Sequence, residues 1–214
     1  MSVGHQSYAW INEPGLPVYY RITLVRGLEP DEVLRRFGAD PRTARSMTLE
    51  ERSLHPQSWQ LVCVHDLGGW TVAIEDDWHD GPGANAAAAL SAGTELVTVY
   101  TNVLAHHRFT HIVDGDVRTD FDALDAGTRF GSRPDRLTDA MRRIGLDPRP
   151  EFDDPDDEPE YVVHAAAMLL ALAEEVTGVA LTAEMLSGPA LTAAVPEPAT
   201  NGWSTPGSRE IRAH

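Results

Sequence analysis

WQLVCVHDLGGWTVAIE, residues 59–75, decides the fold class. Residues 59–65 and 70–75 are short runs rich in apolar, aromatic and β-branched side chains, and Asp66, Leu67, Gly68 and Gly69 between them form a turn cluster. Two such runs joined by a short glycine-bearing loop make a β-hairpin, and hairpin partners run antiparallel. Alternation places Trp70, Val72 and Ile74 on one face of the second strand and Thr71, Ala73 and Glu75 on the other.

The same reading extends outward. Residues 18–26 form a strand closed by Gly27, and residues 95–101, 108–113 and 117–121 form three more. Asp114-Gly115 joins the last two and is a strong hairpin signal, because a type I′ turn needs positive φ at both central positions. Residues 30–37 read as a short helix. Pro30 suits its first turn, Asp31 and Glu32 its positive end, Arg35 and Arg36 its negative end, and Gly38 its stop. Residues 42–52 form a short helix or an ordered loop, with Thr48 and Glu51 at capping-box spacing. Further helical segments are expected at 84–91, 134–144, 161–176 and 182–186.

Strands and helices do not alternate regularly, which argues against a doubly wound parallel sheet. The expectation is α+β: a single antiparallel sheet of about five or six strands with helices packed on it. Residues 1–192 form one domain with an acidic linker at 147–160, and residues 193–214 form a disordered tail rich in Pro, Gly, Ser and Thr.

Bulk composition narrows the function. The 214 residues carry 33 acidic and 17 basic side chains, a formal charge of -16. Such a balance opposes nucleic acid and anionic membrane surfaces, which both need a basic face. Every basic residue is arginine, so lysine Schiff-base chemistry, and with it pyridoxal phosphate catalysis, is excluded. The single cysteine, Cys63, has no internal partner for a disulfide. Residues 1–10 lack a basic region and a long apolar run, so no secretory signal is expected, and no apolar stretch reaches the length of a membrane span. A cytoplasmic protein without a cofactor is the expectation.

Four groups of residues carry possible chemistry. His106, His107 and His111 lie near Asp114 and Asp116, and imidazole with carboxylate is what a zinc or iron site uses. His107 and His111, however, stand about 13 Å apart along one strand face, too far to share a metal, so exposed strand and loop histidines are the alternative. Glu75, Asp76, Asp77, Trp78, His79 and Asp80 form an acidic run around one aromatic. It lacks the ligand spacing and central glycine of a calcium loop, and it suits either a basic partner or plain solvation. Cys63 and His65 share a strand face as a nucleophilic pair would, but apolar neighbours suggest an inert buried thiol. His164, inside an alanine-rich helix, reads as a core histidine.

Several segments together carry a resemblance. They are residues 24–38 (LVRGLEPDEVLRRFG), 69–75 (GWTVAIE), 90–94 (LSAGT), 114–116 (DGD) and 173–182 (AEEVTGVALT). Their order resembles an uncharacterised family of bacterial proteins, common in GC-rich genomes, with no assigned activity. The resemblance covers residues 8–191. It implies a single domain and transfers no catalytic residue. Small immunity proteins of toxin systems share the acidic α+β character, but no motif identifies one here.

The functional expectation is a non-enzymatic acidic protein that binds a basic protein partner, in an immunity-like or regulatory role, through Glu75, Asp76, Asp77, Trp78, His79 and Asp80. The alternative is a small-ligand-binding protein or an enzyme with a His/carboxylate pocket on the sheet, built from His65, His107 and Asp114.

Overall fold

A computed structural model describes residues 4–76, 82–102, 104, 106–149 and 157–196, with backbone alone for 82–85 and 157–162. The strands are β1 (Tyr20–Arg26), β2 (Arg45–Met47), β3 (Leu61–Asp66), β4 (Trp70–Glu75), β5 (Glu95–Thr101), β6 (His107–Val113), β7 (Asp116–Asp122) and β8 (Ala190–Ala194). They form one open sheet in the order β2-β8-β3-β4-β1-β5-β6-β7, antiparallel at every pairing. The fold class is mixed α and β with one antiparallel sheet, as expected. Among the described residues the sheet has eight strands rather than five or six, and this corrects the strand count.

The two additional strands are β2 and β8. β2 is only three residues long, and β8 (Ala-Leu-Thr-Ala-Ala) has little intrinsic strand preference. Long-range pairing with β3 makes β8 a strand. The boundary expected between residues 192 and 193 therefore falls inside β8, where Ala193 is buried.

The helices are α1 (Pro30–Phe37), α2 (Leu49–Ser53), α3 (Pro82–Ser91), α4 (Thr138–Ile144), α5 (Asp157–Thr177) and α6 (Ala183–Ser187). They cover both faces of the sheet. On one face Val25, Val62, Val64, Ala73, Leu96 and Ile112 pack against α1 and α3. On the other, Ile22, Leu24, Cys63, Val72, Val97 and Phe109 pack against α4, α5 and α6. Strands buried on both faces lose the polar-out alternation, which is why β1 is buried from Ile22 through Val25.

Helix α5 is buried at every position from Ala165 to Ala173. Its outer side is covered by α4 and by a 3₁₀ turn, His5–Asn12, whose Tyr8 hydroxyl donates to Glu174 Oε2 at 2.6 Å. α5 begins at Asp157, so the expected linker at 147–160 is helical in its last residues, and residues 150–156 lie outside the described residues. On the opposite face, Arg36 of α1 donates to the carbonyls of Ala89 and Ala92 at the end of α3 and ties the two helices together. No helix among the described residues is long and apolar enough to cross a membrane.

Candidate functional site

The antiparallel order brings one set of strand ends together. β1, β3 and β6 begin, and β4, β5, β7 and β8 finish, at the same end of the sheet. Three concavities of about 560, 460 and 390 Å³ lie along it.

The acidic run starts here. Glu75, the last residue of β4, is buried rather than displayed on a loop. It heads a row of cross-strand neighbours on one face: Glu75, Arg21, Tyr100, Arg108 and Asp122, one from each of five adjacent strands. The Arg21 guanidinium lies 4.8 Å from the Tyr100 ring centroid. Arg108 grips Asp120 with both Nε, at 2.7 Å, and Nη2, and Thr110 adds a 2.9 Å hydrogen bond to the same carboxylate. The two acidic and two basic side chains of the row balance in charge, and opposite-charge cross-strand pairs favour the pairing that brings them together.

Asp76 is placed differently. It is half-buried and lines the cleft of about 560 Å³ with Val18, Leu49, Ser53 and Trp59. Burial pushes its carboxyl above the usual range, and the positive charge of Arg52 opposes that shift. Arg52 itself is buried in α2, where its guanidinium donates to the carbonyls of Met47, Leu186 and Gly188. Asp77, Trp78, His79 and Asp80 lie outside the described residues.

The same end gathers apolar side chains that face solvent. Val18, Trp59, Leu104, Phe130 and Val163 are each at least half exposed and line the concavities or the loop between β5 and β6.

The alternative pocket is not assembled. His65 on β3 and His107 on β6 are separated by three strands and offset by four residues along them, a distance of about 23 Å. Asp114 sits in the β6–β7 hairpin, at the opposite end of β6 from His107, about 24 Å away. Its carboxylate accepts from the Gly93 N–H at 2.8 Å, and its φ of 49° beside Gly115 at 75° is the expected hairpin turn. His65 Nε2 lies 2.9 Å from the Met185 carbonyl, and burial holds its pKa below the ordinary value. The Cys63 thiol donates to Ile74 O at 3.3 Å and is pushed up to about 12 by burial, so it stays protonated and unreactive. His111 is fully buried with Nε2 2.9 Å from Glu95, and the His164 ring lies 5.4 Å from that of His5. Among the described residues no three His, Cys, Asp or Glu side chains converge as metal ligands would.

Sequence reasoning missed two features of this end. One is Arg52, which no local signal marks as buried. The other is the row Tyr20, Thr101 and His107, neighbours on three adjacent strands that only the register joins.

The chain belongs to a family of unknown function, DUF6461, whose model matches residues 1–199. No curated protein and no solved structure matches it.

Proposed function

We propose that the chain is a binding protein for a basic protein partner, which docks on the sheet end that carries Asp76. One observation carries this reading: exposed apolar side chains and the start of the acidic run meet at that end. Apolar anchors supply contact area, and surrounding carboxylates steer and orient a cationic surface. Trp59 is the anchor, because a half-exposed Trp beside a cleft is the residue type that dominates interface energies. The net charge of -16 adds a long-range field that speeds encounter at low salt. Immunity to a basic toxin and control of a partner enzyme are two forms such binding takes.

The test is affinity capture from a lysate of the source organism at low and high salt, with the wild type, Trp59→Ala and Asp76→Asn side by side. The expected result is a basic protein retained at low salt and released at high salt. Trp59→Ala should weaken it by about 2 kcal/mol or more, and Asp76→Asn should reduce the salt dependence. Capture that ignores salt and both substitutions overturns the proposal.

A further inference from the structure

Next to the Asp76 cleft lies a second one, of about 460 Å³, on the face of the sheet that α5 covers. Its floor is polar and buried. Tyr20, Thr101 and His107 are 1%, 5% and 7% exposed and stand in register across β1, β5 and β6. Its walls are mostly apolar, from residues such as Leu16, Val163 and Ala166, and Asn12, Glu13 and Asn102 also line it. Thr101 Oγ1 and His107 Nδ1 are 3.2 Å apart and hydrogen-bond to each other. The Thr101 side chain lies beside the Tyr20 hydroxyl and acts on its oxygen, but among the described residues the hydroxyl has no acceptor, so its O–H is left unused as a donor. A buried hydroxyl without an acceptor is rare in a native fold and calls for an occupant. Here it lines a space of ligand size with apolar walls and a few convergent polar groups, the usual make-up of a small-molecule site.

We infer that this cleft binds an uncharged small molecule with an apolar body and a carbonyl-type head, whose oxygen accepts from the Tyr20 hydroxyl.

The charge of the ligand follows from the lining. Among the described residues no Arg lines the cleft, and Glu13 stands in it. Burial keeps the Tyr20 phenol protonated, its pKa raised to about 12, so it remains a donor. Burial also lowers the His107 pKa, with Asp122 pulling the other way, so the imidazole is neutral at pH 7. Among the described residues, an anion would meet a carboxylate and no cation.

The probe is Nile red, an uncharged dye with an apolar ring system and a carbonyl, titrated into the full chain by fluorescence. One saturable site is expected. Tyr20→Phe keeps the shape and removes the donor, and should weaken binding about fivefold to tenfold while leaving the melting temperature unchanged or raised. A structural hydroxyl would instead lower it. Val163→Trp, at an exposed wall position, should block the cleft and abolish binding. Absence of a saturable site overturns the inference. So does binding that neither substitution changes, or tighter binding of the anionic dye anilinonaphthalene sulfonate. No protein partner enters this assay, so its result is independent of partner docking.

Discussion

At Gly131 the backbone has a φ of 112°, and an added Cβ would lie 2.5 Å from the Arg118 carbonyl oxygen. The segment it belongs to closes the outer edge of β7: Phe130 pairs with Asp120, Ser132 N–H donates to Val117 O, and Arg133 N–H to Arg118 O. Covering an edge strand removes its open row of backbone groups from further pairing. Gly131→Ala should therefore destabilise by more than about 2 kcal/mol, read as a lower urea midpoint at unchanged slope. At this scale the sequence was legible in part. The Asp114-Gly115 turn and the inert Cys63 followed from local chemistry. Glu75 did not, because its cross-strand neighbour Arg21 is brought to it only by the pairing of β1 with β4, and no pattern along the chain shows that.

Helix α2 shows what a short element needs. Thr48 caps it through the Glu51 N–H at 3.2 Å, and the Glu51 carboxylate returns to the Thr48 N–H at 2.7 Å. Five residues are too few to hold a helix without such help. The same turn positions Arg52, whose guanidinium joins α2 to the backbone around α6. Thr48→Ala should cost about 1 kcal/mol, a fall of about 2–4 °C in melting temperature for a chain of this size. The capping spacing was visible in the sequence, as were the strands with dense Val, Ile and Thr. Strands β2 and β8 were not, because one is very short and the other mostly alanine, and each exists by pairing. The start of α5 was hidden for a related reason: acidic residues suit both a solvated linker and the first turn of a helix.

For the molecule as a whole, three histidines contribute to the response to acid. Burial lowers the pKa of His65, His107 and His111 below their ordinary values. The unfolded chain therefore binds protons that the fold does not as pH falls through about 6.5, and stability drops in that window. Asp76 acts with the opposite sign at lower pH, since its raised carboxyl pKa lets the fold take a proton first. Urea unfolding at pH 7.5, 6.5 and 5.5 should show a falling free energy, at most about 1.4 kcal/mol per pH unit for each histidine. A flat profile would show that these rings are not held neutral. Strand order, like these burials, is a property of the whole. β8, the last strand among the described residues, inserts between β2 and β3, and β1 lies inside the sheet, so neither cleft could be drawn from neighbouring residues alone. One wall ends as the most consequential part. Leu16, Pro17 and Val18 separate the Asp76 cleft from the Tyr20 cleft and line both. Any coupling between guests on the two sides of this partition is reciprocal: the factor by which the first alters affinity for the second equals the factor by which the second alters affinity for the first.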